Sequence, residues 1–252
     1  KLAMGDYAGV IADANKIVSA AAPFKSATRV AHALQADVSA VFKAPYTTTE
    51  SIFSFPMDAT NAPGTQNQLG YYFNAGNVEY YLNTGTIGIY NNPQFAATDD
   101  RKTKLTVATT AVAKFPSSTK FSGVSPYVDF VPNIRYAEVL LNLSEAIARN
   151  TNSVDSRAVA LLNSVRGRSD ATTVFSVSSF ATVQNLIDQI LTERRIELLA
   201  EGFSSPDIMR LGQNFPVKGS APAVAKTDTQ YLWPIPLNEL LYNKLCVQNT
   251  GH

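Results

Sequence analysis

Charge is the scarcest commodity in this sequence. Asp, Glu, Lys and Arg make up 16% of the chain, against roughly 25% in ordinary globular proteins. The 21 basic and 20 acidic residues leave a net charge of +1. A protein that tracks nucleic-acid phosphates carries a basic field, so that class is excluded. Cysteine occurs once, as Cys246, so no intramolecular disulfide can form. Histidine occurs twice, as His32 and His252, far apart and without Cys or carboxylate at ligand spacing, which excludes a Cys/His zinc site. A His-based nucleophilic centre would have to use one of these two. His32 lies in an Ala-rich stretch, Ala31-His32-Ala33-Leu34, and reads as a helix-packing residue. No run of about 18 apolar residues is present, so no helix spans a membrane. No signal peptide opens the chain. It begins Lys1-Leu2-Ala3-Met4-Gly5-Asp6-Tyr7, like the middle of a helical hairpin, which suggests a longer precursor without its N-terminal part.

What replaces charge is uncharged polarity. Ser, Thr and Asn account for 60 of the 252 residues, while 45% of the chain is hydrophobic, enough to argue against disorder. A chain of this length buries enough surface to fold without disulfide or metal staples. Charge is also unevenly spread. Residues 51–98 hold only Asp58 and Glu79, with nine aromatics and ten side-chain amides. Residues 135–210 carry 17 charges. The two stretches must do different jobs.

The charged stretch reads as helix. Apolar residues at 136, 139, 140, 143 and 147 share one helical face. A second helix follows a cap at Ser153 or Asp155, with Ala158, Leu161, Leu162 and Val165 on its stripe. A third starts near Ser178 or Ser179, carries Val183, Leu186, Ile187, Ile190 and Leu191, and stops at Gly202. Val10, Ile11, Ala14, Ile17 and Val18 predict a helix before Pro23, and residues 27–42 another. Residues 45–132 are punctuated by Pro, Gly and Asn and read as a loop-rich insertion, with a strand over 106–112. The spacing predicts one domain over 1–252: a helical hairpin (1–44), the insertion (45–132), a helical scaffold (133–211) and an irregular C-terminal segment (212–252). Met4-Gly5-Asp6-Tyr7 and the helix after it resemble half of a tetratricopeptide repeat, whose hairpins bury their faces only by stacking.

From residue 133 onward the resemblance is specific. Residues 133–146 read NIRYAEVLLNLSEA, 161–168 read LLNSVRGR, 190–202 read ILTERRIELLAEG, and 232–236 read LWPIP ahead of a closing Gln248-Asn249. Together they resemble, in order, the signature segments of the SusD/RagB family. Asp100-Arg101 stands where that family often has Asp-Pro-Arg. The sequence departs after Gly202, where GFSSPDIMR lacks the usual Trp, and at Thr250-Gly251-His252, where the family has Pro-Gly-Tyr. The match is to the C-terminal half of a family member. The resemblance implies a tetratricopeptide-like α-α superhelical scaffold. It also implies a non-catalytic, surface-exposed outer-membrane lipoprotein of Bacteroidetes-type bacteria. Such a protein captures glycans, or in some cases peptides, for a SusC-type TonB-dependent transporter. It would use no cofactor or metal, and would touch the membrane only through a lipid anchor that this chain lacks.

Glu193 and Glu197, one helical turn apart in Glu193-Arg194-Arg195-Ile196-Glu197, could be read as an acid/base pair. A glycosidase needs carboxylates on opposite sides of the scissile bond, which one helix face supplies poorly. The better reading is a salt-bridged structural network with Arg135, Glu138 and Arg194. Trp233, flanked by apolar residues and prolines, reads as packing onto the helices rather than as a sugar platform.

Residues 51–98 are where ligand chemistry is expected. Tyrosine offers a flat apolar face with a polar tip, and Asn and Gln offer donors and acceptors without charge, as a neutral sugar requires. Phe53, Phe55 and Phe95 read as the insertion's own small core. Tyr71, Tyr72, Asn77, Tyr80 and Tyr81 are the candidate binding residues. If the segment is extended, only one of each tyrosine pair faces the ligand. The alternative is a peptide- or protein-binding module on the same scaffold. A glycoside hydrolase would have to draw on Asp58 or Glu79 in this window.

Overall fold

The computed structural model describes residues 1–26, 30–58, 60–61, 69–73, 79–107, 111–115 and 128–252. They form two compact units, Lys1–Glu201 and Gly202–His252, each described by itself. In the first unit the Asp6 carboxylate accepts from the Gly9 N–H at 2.9 Å and opens helix α1 (Tyr7–Ala14). Val10 and Ala14, one turn apart, are its buried residues. The second helix expected over 27–42 is not found among the described residues. Residues 30–37 are irregular and lead into a 3₁₀ turn, Val38–Phe42. The backbone groups that a helix would pair locally are taken by distant partners. The Ala33 N–H donates to the Thr49 carbonyl and the Gln35 N–H to the Glu50 carboxylate at 2.8 Å. His32 accordingly stacks on Tyr136, with ring centroids 5.9 Å apart, rather than sitting on a helix.

The insertion carries short elements: β1 (Ser51–Phe55), α2 (Leu69–Phe73), α3 (Asp100–Leu105), β2 (Thr106–Val107), β3 (Ala111–Val112) and β4 (Val131–Arg135). The single strand expected over 106–112 is instead the antiparallel pair β2–β3. β1 runs antiparallel to β4 with Ser51 opposite Arg135 and Phe53 opposite Ile134. That register sets Glu50 beside Arg135, and the Tyr136 N–H donates to the Glu50 carbonyl at 2.8 Å.

The scaffold helices lie where the 3.6-residue period places them. They are α4 (Tyr136–Thr151), α5 (Ser156–Ser169) and α6 (Val183–Glu197). Asp155 caps α5 by accepting from the Arg157 and Ala158 N–H groups. Thr182, rather than Ser178 or Ser179, caps α6 through a reciprocal box with Asn185. α4 is central. Its Tyr136, Leu140, Leu141 and Leu143 are fully buried together with Leu161, Leu162 and Val165 of α5 and Leu186 and Ile190 of α6. The architecture is mainly α, with a loop-rich insertion.

Beside this apolar core lies a buried ionic cluster. Glu197, at the end of α6, accepts from Arg101 at 3.0 Å, Arg135 at 3.0 Å and Arg168 at 2.6 Å, all essentially without solvent exposure. Glu193, one turn earlier, receives Arg101 and, at 2.9 Å, Arg166. Arg135 also reaches Glu50 and Glu201, and Lys114 reaches Glu201 at 2.6 Å. Asp99, not Asp100, chelates Arg101 through both carboxylate oxygens. The expected network is therefore real, and Glu138 lies in the fields of Arg194 and Arg135, which oppose the upward push of burial on its carboxyl. Arg194 donates to Asn142, and Glu138 accepts from Asn142. Arg135 is the member that joins Glu197.

Burial pushes the Glu197 carboxyl up, but the fields of Arg168, Arg135, Arg101 and Lys114 outweigh it and hold it well below its ordinary 4.5. Burial lowers the Lys114 ammonium against the pull of Glu201.

In the second unit α7 (Ser204–Arg210) and α8 (Leu237–Tyr242) are joined by irregular chain. The Gln248 amide pairs with both backbone groups of Ile235, at 2.8 and 3.1 Å, and the Asn249 amide donates to the Trp233 carbonyl. The closing Gln248-Asn249 side chains thus pair with the backbone of the 232–236 motif. Trp233 itself is 87% exposed, so it does not pack onto the helices as expected. Its segment is held by main-chain hydrogen bonds, which leave the indole unused.

Removing one member of a buried ion cluster strands its partners. Glu197→Gln should therefore lower unfolding free energy by about 3–5 kcal/mol, while Arg195→Gln, at an exposed position of the same helix, should stay within about 0.5 kcal/mol. Urea unfolding measures both. The pH dependence has a definite sign. The unfolded carboxyl binds its proton near 4.5 while the folded one stays ionised, so Glu197 stabilises fully above pH 4.5 and less as pH falls below it. Stability should fall as pH drops below about 4.5 in the native protein, with a shallower slope in Glu197→Gln.

Candidate functional site

Aromatic rings of the insertion form a continuous chain from the core to solvent. At its base Phe42, which ends the 3₁₀ turn, is 4% exposed, with the Lys114 Nζ 5.0 Å and the Arg135 guanidinium 5.3 Å from its ring. Phe42 meets Phe115 edge to face at 6.4 Å. Phe115 meets Phe73 at 5.9 Å, and Phe73 meets Tyr80 at 5.5 Å. Tyr80 also meets Tyr72 at 5.7 Å, and Tyr72 meets Tyr71 at 5.3 Å. The contacts are edge to face at Phe42–Phe115, Tyr80–Tyr72 and Tyr72–Tyr71 and tilted at the two made by Phe73, all at separations typical of aromatic pairs. The backbone closes the same loop: the Tyr72 carbonyl accepts from the Glu79 N–H at 3.0 Å and the Tyr80 N–H at 3.3 Å.

Of the residues singled out from sequence, Tyr71, Tyr72 and Tyr80 are brought together. Tyr71 and Tyr72 are half-buried on helix α2, not on an extended segment, so the alternation rule does not apply to them. Tyr80 and Tyr81 are 57% and 66% exposed. Asn77 lies outside the described residues. Phe95 is buried as expected, against Tyr90 and beneath the Lys102 ammonium. Phe53 and Phe55 are not core: they are 48% and 51% exposed and touch each other edge to face at 5.2 Å. Residues two apart on a strand share one face, and that face of β1 is the solvated one.

Glu193 and Glu197 are fully buried and ion-paired, so neither can reach a substrate. Asp58 is exposed and caps its own turn through Thr60 and Asn61. The Thr60 hydroxyl and backbone N–H bonds hold its carboxyl below the ordinary value. Sequence reading missed Phe73, Phe115 and Phe42 as supports. Phe73 directly follows the Tyr71-Tyr72 pair, which was signal enough. Phe42 and Phe115 lie outside the charge-poor window, and only the fold brings them to it.

With this geometry in hand, relatives can be compared. A SusD-family profile matches residues 55–252. The chain belongs to the SusD family. A SusD superfamily protein from Bacteroides fragilis is 32% identical, with a TM-score of 0.77 over 96% of this chain and 52% of its own. SusD-like protein P38 from Formosa agariphila is 32% identical over 136 residues, covering 51% of this chain and 26% of its own. Surface glycan-binding protein A from Bacteroides thetaiotaomicron, in complex with laminarihexaose, shares the fold at a TM-score of 0.61 and 17% identity. It is covered over 61% of its length. The chain spans about half the length of the Bacteroides fragilis protein and about a quarter of P38. The expected tetratricopeptide-like α-α scaffold of the SusD family is the architecture found here.

The ring chain makes opposite demands at its two ends. Phe115→Ala should cost about 3–5 kcal/mol of stability, because a fully buried ring is removed. Tyr80→Ala should cost clearly less, about 0.5–1.5 kcal/mol, since its ring is mostly solvated and loses only its contacts with Tyr72 and Phe73. Thermal and urea unfolding of the two variants checks this.

Proposed function

We propose that this SusD-family chain binds neutral glycans, without catalysis, on the tyrosine cluster of Tyr71, Tyr72, Tyr80 and Tyr81, with Asn77 among the hydrogen-bonding groups. The observation that carries the reading is the exposure of Tyr80 at the end of a ring chain rooted in the core, with the exposed Tyr81 next to it in the chain. The sequence window they lie in, 51–98, holds only Asp58 and Glu79 as charges. An exposed aromatic held in place stacks on the C–H face of a sugar, and neighbouring amides bond its hydroxyls. A rigid scaffold with binding residues on its loops is a common division of labour. A fold relative bound to laminarihexaose supports the same ligand class. In this reading chain 1–252 acts as one domain of a cell-surface, lipid-anchored outer-membrane receptor. It hands its ligand to a SusC-type TonB-dependent transporter and uses neither metal nor cofactor.

A second reading is a peptide- or protein-binding module. It draws on the exposed Trp233, Leu237, Tyr242 and Leu245 of the C-terminal unit, large apolar side chains of the kind a protein partner covers.

Isothermal titration with laminarihexaose, maltohexaose and cellohexaose, beside a set of neutral peptides, separates the two. The glycan reading expects saturable binding of a hexasaccharide, no new reducing ends on prolonged incubation, and about tenfold weaker binding in Tyr80→Ala, or roughly 1.4 kcal/mol. Peptide binding with no hexasaccharide binding would overturn it in favour of the second reading.

A further inference from the structure

Tyr80 is mostly solvated, yet its ring contacts two others. Tyr72 stands at 60° to it, 5.7 Å away, and Phe73 at 39°, 5.5 Å away. Its backbone N–H is tied to the Tyr72 carbonyl, which fixes where the residue is but not where its ring points. Phe73 is the residue that links this ring to the interior. It ends helix α2, is half-buried, and leans on Phe115, which is 1% exposed. Phe115 in turn abuts Phe42, on which two buried cations rest. Among the described residues, the rings step from Tyr80 to the core through Phe73 and Phe115.

We propose that Phe73 is a positioning residue for Tyr80, a wall that holds the exposed tyrosine ring in its binding orientation by transmitting the rigidity of the Phe115–Phe42 base. The role in binding rests on the glycan reading given above; the orientation of Tyr80 does not. A free tyrosine ring must lose rotational freedom when a ligand stacks on it, and a ring already held has little left to lose. Phe73 is not among the proposed ligand-contacting residues and its ring meets that of Tyr80, so its loss should weaken binding by freeing Tyr80.

The test uses the whole chain labelled with 3-fluorotyrosine, with the Tyr80 and Tyr81 fluorine resonances assigned from Tyr80→Phe and Tyr81→Phe. In Phe73→Leu, which keeps apolar bulk without the ring, the Tyr80 resonance should move toward the free-amino-acid position and narrow, and that of Tyr81 should stay. The dissociation constant for laminarihexaose should rise about three- to tenfold. Phe73→Tyr, which keeps the ring, should restore both readouts. Phe73→Ala, if it folds, should exceed Phe73→Leu in both. A lower melting temperature in Phe73→Leu with the Tyr80 resonance unmoved would overturn the proposal and leave Phe73 as filler. If the unaltered chain binds no laminarihexaose, the glycan reading fails for that sugar, while the fluorine shifts still decide whether Phe73 orients Tyr80.

Discussion

One carboxylate organises the first unit. Glu197 sits at the end of α6 with no solvent around it and three guanidiniums on it. Each of these comes from a different element: Arg101 from α3, Arg135 from the end of β4, Arg168 from α5. Burying such charges costs several kcal/mol each, and only near-complete pairing offsets that. The consequence is geometric. Four segments distant in sequence must meet at one point, and a shift of any of them strands a charge in low dielectric. Hydrophobic packing around α4 can tolerate rearrangement, but a directional cluster of this kind specifies a single arrangement.

The candidate site hangs from the same point. Arg135 and Lys114 hold Glu197 and Glu201 on one side and rest on the Phe42 ring on the other. From Phe42 the rings step outward to Tyr80. An insertion rich in loops would ordinarily place its tips loosely. Here the tip is joined by edge-to-face and tilted ring contacts to buried residues of the unit, which ties an exposed aromatic to the core.

What the sequence made legible follows from what is local. The helices α4, α5 and α6 are written in a 3.6-residue apolar period and in caps within three residues, so they could be read to within a few positions. The motif around Glu193 and Glu197 announced an ion network. Its partners Glu50, Arg101 and Lys114 lie far away in the chain and have no pattern connecting them, so they could not be read. Residues 30–37 failed for a related reason. Their Ala-rich composition favours helix, but Thr49 and Glu50 capture their backbone N–H groups, and tertiary pairing overrides propensity. The tyrosines were found by composition, since 51–98 is poor in charge and rich in rings. Which rings support and which are presented depended on Phe115 and Phe42, outside that window. Phe53 and Phe55 were misassigned because apolar character alone does not tell which face of a strand is covered.

The central claim is that Glu197 holds the distant segments as one cooperative body. Hydrogen exchange followed by mass spectrometry on Glu197→Gln, compared with the unaltered chain under native conditions, tests it most directly. The account predicts faster exchange together in Ser51–Phe55, Asp100–Leu105, Val131–Arg135 and Ser156–Ser169, as well as in Val183–Glu197. Faster exchange confined to Val183–Glu197 would contradict it.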